Sequence, residues 1–224
     1  MSGLLRGAGT VIRKDLLAEG RAGEVLRVTI PFGALALLLF PLSINTNFAV
    51  LRQIGPGIYW AIVLLFGILV TLRATAADSP QCRDLLLLSG VQPASIFLGR
   101  TAAGSVLLLL FELVLAPVMV VFYSPDGIAG WPWLFVLAAL VAVGLSTLGT
   151  LAATLSIGLR TRSAIAPLLV APLAAPILLA ATETTDLLGS GQGIIRWILL
   201  LVAMDLALII AGMLVAGSLE ESMQ

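Results

Sequence analysis

The chain has 224 residues, of which 60% are hydrophobic and 11% are charged, and its formal net charge at neutral pH is zero. Soluble domains carry about 25% charged residues, so this composition excludes an ordinary soluble globule, and the zero net charge gives no indication of nucleic-acid binding. With no histidine and one cysteine, Cys82, the chain can form no internal disulfide and is a poor candidate to bind a metal, haem iron or another cofactor by itself.

Six apolar runs predict six transmembrane helices, because backbone polar groups in hydrocarbon must be satisfied within the segment and about 20 residues span a bilayer. The runs cover about 28–45, 57–77, 102–123, 131–158, 164–182 and 194–217. Polar or breaker-rich links separate them, among them Gly55-Pro56-Gly57 and the glycine-containing stretch 183–193. We therefore predict an all-α polytopic membrane protein that forms a single domain over 1–224.

The distribution of basic residues predicts the orientation. Ten of the twelve Lys and Arg residues fall before the first run or in the second and fourth links, whereas only Arg52 and Arg196 fall on the other side. Cytoplasmic loops are enriched in Lys and Arg, so both termini are predicted to be cytoplasmic. The four tryptophans lie near the opposite ends of the runs, where they are expected to anchor at the membrane interface. They are Trp60, Trp131, Trp133 and Trp197.

Residues 4–17 have helical amphipathic spacing, with Leu4, Ala8 and Val11 on one side and Arg6 and Arg13 elsewhere. This pattern favours an interfacial helix that forms an elbow over 1–27 before the first span. The alternative is an ordinary solvated basic tail.

The longest cytoplasmic loop, 78–95, contains Asp84 followed by an apolar run of four leucines, which are Leu85, Leu86, Leu87 and Leu88. Pro80 can open a short helix, and Gly90 and Pro93 are expected to end it. Such a helix either lies against the membrane and its own spans or docks into a groove on a soluble partner. We favour docking.

Two carboxylates interrupt the apolar runs, Glu112 in the third and Asp205 in the sixth. A carboxylate at a helix centre costs about 2.5–3.5 kcal/mol to insert, so both are expected to face protein or water rather than lipid. They could form a proton-coupled or cargo-contacting site, or be buried carboxyl groups hydrogen-bonded to a neighbouring helix. We favour the second, because no basic residue lies deep in any run.

The fourth run repeats small residues at every fourth position, which predicts a ridge for close helix packing within the chain or between subunits. The ridge is Ala142, Ser146, Thr150, Thr154 and Gly158. The fifth run contains Pro167, Pro172 and Pro176, which predict a bent or broken helix. No phosphate-binding loop, nucleophile–base pairing or dinucleotide motif is present, so we expect no enzymatic activity.

Two motifs resemble the CcmB family, the membrane subunit of the haem-exporter ABC transporter. They are Phe40-Pro41-Leu42-Ser43-Ile44 and Ile54-Gly55-Pro56-Gly57-Ile58-Tyr59-Trp60. The resemblance extends through Leu85-Leu86-Leu87-Leu88-Ser89 and Gly99-Arg100 to the proline-rich fifth run, and so covers nearly the whole chain. It departs in the loop, where Ser79 to Asp84 replaces an acidic, glycine-containing stretch.

The resemblance implies a type-2 ABC exporter fold in the cell inner membrane, with the loop 78–95 as the coupling segment. It implies a homodimer bound to two copies of a cytoplasmic ATPase, CcmA, and associated with the haem-holding CcmC, the small CcmD and the haem chaperone CcmE. ATP hydrolysis in the partner would release haem-loaded chaperone. An outer-face motif would respond to it, formed by Pro41, Ser43, Pro56, Gly57 and Trp60.

Three alternatives remain at the level of sequence. One is a permease of the same architecture for a lipid, drug or glycan, and only the haem permease should co-purify with CcmC and CcmE. Another is an ion-coupled carrier or channel that uses Glu112 and Asp205. The third is a pure scaffold, which would not need ATP hydrolysis by a partner.

Overall fold

The computed structural model describes residues 2–43, 48–76, 92–123, 130–158, 165–190 and 193–221, and within these ranges it is helical without any strand. The seven helices of this part are α1 (Ser2–Ala22), α2 (Glu24–Ser43), α3 (Phe48–Ala76), α4 (Pro93–Tyr123), α5 (Trp131–Gly158), α6 (Ile165–Ser190) and α7 (Ile195–Glu221). The predicted all-α class is confirmed.

Four helices are long and apolar enough to cross a bilayer: α3 over Ala49–Thr71, α4 over its full length, α5 over Trp131–Leu155 and α7 over Ile195–Ser218. The apolar part of α2, Arg27–Ser43, is shorter. The chain is therefore a multi-pass membrane protein, and the count of six spans stays a prediction.

Gly55-Pro56-Gly57 does not separate two elements as expected, because α3 begins at Phe48 and continues through Pro56. A proline inside a helix removes only one backbone donor, and packing can stabilise the helix around it. Gly55 allows this packing, since a Cβ there would lie 2.9 Å from side-chain atoms of both Met119 and Tyr123 in α4. The hydroxyl of Tyr123 in turn donates a 2.7 Å hydrogen bond to the carbonyl of Leu37 in α2.

The polar stretch after residue 182 is also helical, because α6 continues to Ser190. The hydroxyls of Thr184 and Thr185 donate to the carbonyls of Ala180 and Ala181, at 2.6 and 2.8 Å, so these polar side chains are satisfied by their own helix. The prolines within α6 do not break it either. Pro93 opens α4, a position that favours proline, and the loop helix that it is expected to end lies outside the described residues.

The N-terminal segment is a helix packed on the bundle rather than an irregular tail. Ala8 and Val11 of α1 are buried against α4 where that helix carries Gly99. A Cβ on Gly99 would lie 2.6 Å from the Cβ of Val11 and 2.9 Å from the carbonyl oxygen of Ala8. Gly23, with a φ of 59°, then turns the chain into α2. The segment is therefore helical, whereas its role as an interfacial elbow at the membrane surface stays a prediction.

Helix α5 lies at the centre and packs against α3, α4, α6 and α7. Its small-residue ridge faces these neighbours, because Ala142, Ser146 and Thr150 are buried. Ser146 donates a 2.8 Å hydrogen bond to the carbonyl of Thr101 in α4. The predicted close packing is thus confirmed for these three residues and lies within the chain.

Two glycine-to-alanine changes test the docking of α1. Gly99→Ala should lower the free energy of unfolding by about 1–3 kcal/mol, because the new methyl group meets the backbone of α1. Gly9→Ala is the matched control, since Gly9 lies in α1 with no atom within 4 Å of a Cβ there, and the better helix propensity should raise stability by up to about 1 kcal/mol. Denaturant titration in detergent measures both, and equal effects would contradict the docking.

Candidate functional site

Two cavities meet where the first turns of α3 face the last turns of α6. The polar cavity has a volume of about 350 Å³ and is lined by Ala49, Arg52, Gln53, Pro56, Thr185, Asp186, Gly189 and Ser190. The apolar cavity has a volume of about 320 Å³ and is lined mainly by aromatic and aliphatic side chains of α3, α4 and α5. Pro56 and Thr185 belong to both walls, so the cavities adjoin.

The polar cavity carries charges of both signs. Arg52 comes from α3 and Asp186 from α6, with the neutral polar groups of Gln53 and Ser190 beside them. Partial burial raises the pKa of the Asp186 carboxyl above its usual range, and the negative charge of Glu183 one turn earlier raises this pKa further. The cavity can thus interact with an anionic and a cationic group at the same time.

Trp60 and Thr185 form the boundary between the cavities. The indole Nε1–H of Trp60 donates a 3.0 Å hydrogen bond to the hydroxyl oxygen of Thr185. Trp60 is only 4% exposed, so the expectation that it anchors at the membrane interface is wrong. Trp131 and Trp133 are exposed as such anchors should be. Trp60 differs because its indole finds a partner in α6, and the ring of Tyr59 packs edge-on against it at 5.0 Å.

Glu112 contributes to the wall of the apolar cavity and is 1% exposed. Its two carboxyl oxygens have no hydrogen-bond partner among the residues that the structure describes. The hydroxyl of Tyr59 bonds instead to the backbone carbonyl of Glu112, at 3.0 Å. Burial is therefore confirmed, whereas the expected bond from the carboxyl group to a neighbouring helix is not found there.

Asp205 is buried elsewhere, between α5, α6 and α7. A Cβ on Gly144 would lie 2.6 Å from an Asp205 carboxylate oxygen and 2.9 Å from Ile177, so glycine makes room for the carboxyl group. Its oxygens also lack a partner within the described ranges. Asp205 lines neither cavity, so the structure does not bring the two carboxyl groups into one site.

The outer-face motif is divided by the fold. Pro56 and Trp60 lie at the cavities, and a Cβ on Gly57 would meet open space. Pro41 and Ser43, at the end of α2, line neither cavity. The coupling residues Asp84 and Leu85 to Leu88 lie outside the described residues.

Sequence reasoning missed Thr185 and Asp186 as site residues, because the stretch after 182 read as a loop. The sequence carries no local signal for them, because Thr185 becomes a site residue only through its contact with Trp60 of α3. In the described part of the chain, no group of three or more acidic, cysteine or histidine side chains could hold a metal ion.

A double-mutant cycle tests the boundary between the cavities. Trp60→Phe removes the indole donor and should lower stability by about 1 kcal/mol, and combining it with Thr185→Val should show a coupling energy of about 0.5–1.5 kcal/mol. Trp133→Phe is the control, and it should change stability by less than about 0.5 kcal/mol because Trp133 is 46% exposed, against 4% for Trp60. Unfolding in detergent measures all variants, and strictly additive effects would show that no hydrogen bond joins the two side chains.

Comparison with known proteins identifies the family. The chain matches the family model described as CcmB protein over residues 6–222. It is similar to the Haemophilus influenzae protein named Heme exporter protein B, with 27% identity over 182 residues that cover 80% of this chain and 81% of that protein. Because the family match spans almost all of the sequence, the chain belongs to the CcmB family.

Proposed function

We propose that the chain is the membrane permease subunit of an ABC transporter complex that exports or handles haem in c-type cytochrome biogenesis. The observation that carries this proposal is the family match over residues 6–222, supported by the name of the Haemophilus influenzae relative. The four long apolar helices suit a membrane transport component. In this function the chain is not catalytic, and the ATPase activity resides in a CcmA-like partner.

The connectivity suggests how such a partner could act on the cavities. Residues 77–92 join the end of α3 to the start of α4, and we place the ATPase contact at Asp84 and Leu85 to Leu88. Helix α3 supplies Tyr59 and Trp60 to the apolar cavity, and α4 supplies Glu112. A force on the loop therefore reaches two helices that build the cavity wall, and a relative shift between them would change its shape.

The finer architecture belongs to the same proposal. Six spans, with α1 as an interfacial elbow, place both termini on the cytoplasmic side of the cell inner membrane. The exposed Leu5 and Leu17 of α1, together with its arginines, support contact with the membrane surface. The complex contains two copies of this chain in a type-2 exporter arrangement, with CcmC-, CcmD- and CcmE-like proteins, and ATP hydrolysis drives release of haem-loaded chaperone.

Charge substitutions in the loop test the ATPase contact. Leu86→Glu or Leu87→Glu should abolish co-purification of the ATPase and the appearance of covalent haem in c-type cytochromes, because a buried unpaired carboxylate destabilises an apolar interface. Gln92→Glu is the control, since Gln92 is exposed at the start of α4, and both readouts should match the unsubstituted protein. The variants must still be found in the membrane fraction.

Retention of the ATPase by both leucine variants would contradict the docking site. Co-purification also separates the haem permease from a permease for another cargo, because only the former should retain CcmC- and CcmE-like proteins. If an ATPase is retained but neither of these proteins is, and c-type cytochromes mature in cells that lack the chain, the proposed haem function is wrong.

An ion-coupled carrier is the second candidate, because Glu112 and Asp205 are both buried and unpartnered among the described residues. We expect the double variant Glu112→Gln, Asp205→Asn to keep cytochrome maturation within about twofold of normal, since a mechanical permease needs no titrating group in its spans. Haem staining of c-type cytochromes measures this directly. Complete loss of maturation with normal membrane insertion and ATPase binding would favour the ion-coupled mechanism.

A further inference from the structure

One of the two adjoining cavities is polar and the other apolar, which matches the polar and apolar parts of an amphiphile. The polar cavity holds Arg52 and Asp186 at the ends of α3 and α6. Beyond Pro56 and Thr185, the apolar cavity continues between α3, α4 and α5. Together they offer a charged compartment at the helix ends and an adjoining hydrocarbon-like compartment, each in the size range of small-molecule sites.

The apolar cavity opens sideways toward lipid. Its wall includes Leu113 and Val120 of α4 and Trp131 and Phe135 of α5, and all four side chains are substantially exposed on the bundle surface. Exposed apolar surface on these spanning helices faces the acyl chains of the membrane. A ligand can therefore enter from the bilayer with its apolar part first, without crossing water.

The charges of the polar cavity select the headgroup. One arginine and one aspartate give a local formal charge of zero, which suits a zwitterion better than an anion or a cation. A guanidinium binds phosphate oxygens, and a carboxylate accepts hydrogen bonds from a primary ammonium. Glu183, one turn before Asp186 on α6, does not line the cavity.

We propose that the two cavities bind one aminophospholipid molecule, with Arg52 on its phosphate, Asp186 on its primary ammonium and one acyl chain in the apolar cavity. This site goes beyond the proposed haem function and does not depend on it. Haem fits the charges less well, because its two carboxylates would meet one arginine beside an aspartate. A quaternary choline headgroup fits less well too, since it has no N–H to donate to Asp186.

The test uses the full chain reconstituted in vesicles of phosphatidylethanolamine, phosphatidylcholine and phosphatidylglycerol in equal amounts with identical acyl chains. After mild solubilisation, mass spectrometry counts the lipids retained per protein. Phosphatidylethanolamine should be retained about tenfold over phosphatidylcholine, the scale of a charge-assisted hydrogen bond. Asp186→Asn should reduce this preference to about one, and Arg52→Gln should reduce the retention of all three lipids.

Two further variants serve as a control and as a test of the apolar cavity. Arg196→Gln is the control, because Arg196 is the other arginine of the predicted outer side, is exposed and lines neither cavity. It should leave both retention and preference unchanged. Ala138→Trp fills the apolar cavity and should lower the retention of every lipid. If this variant does not fold, Asp186→Asn and Arg52→Gln still test the proposal.

Equal retention of the three lipids by the unsubstituted protein would overturn the proposal, as would an ethanolamine preference that survives Asp186→Asn. Titration with haem tests whether the cavities bind haem instead of a lipid. If haem binds in stoichiometric amount and Asp186→Asn strengthens that binding, the cavities accept a dianionic amphiphile and the lipid assignment is wrong.

Discussion

Close contact between helices at small residues is the interaction on which the bundle depends. In lipid there is no general hydrophobic drive to bring apolar helices together, so their association relies on close backbone approach and a few interhelical hydrogen bonds. Helix α5 provides this approach through Ala142, Ser146 and Thr150, and it contacts four other helices. The Ser146 hydroxyl adds a bond to the α4 backbone at Thr101, which ties the two most connected helices to each other.

This packing places the cavities and the loop on the same two helices. Helices α3 and α4 flank the segment 77–92 in the chain and both pack against α5, so the proposed ATPase contact would act on two helices that the core holds. Trp60, in the first half of α3, is bonded to Thr185 where the polar and apolar cavities meet. The proposed mechanical role thus rests on α3 as a rigid connection between the two ends of the bundle.

The sequence predicted the helices well where one physical signal dominated. Apolar length gave the four long helices, and the spacing of Ala142, Ser146 and Thr150 gave the packing ridge. The predictions failed where tertiary contacts override local preference. Gly55-Pro56-Gly57 reads as a breaker, yet Gly55 packs on Tyr123 and the helix continues. The hydrogen bond between Trp60 and Thr185 joins α3 to the polar end of α6 and accompanies the burial of Trp60. No local sequence pattern reveals such a contact between helices.

The proposed mechanism requires that the loop 78–95 faces the cytoplasm, where an ATPase can reach it. Cys82 is the only cysteine of the chain and lies in this loop, so a membrane-impermeant maleimide reports its side directly. A Cys82→Ser, Ser190→Cys variant supplies an exposed position at the other end of the bundle as the control. We predict that intact spheroplasts label only the control and that Cys82 reacts after permeabilisation. Labelling of Cys82 in intact spheroplasts would contradict the orientation and remove the proposed ATPase contact.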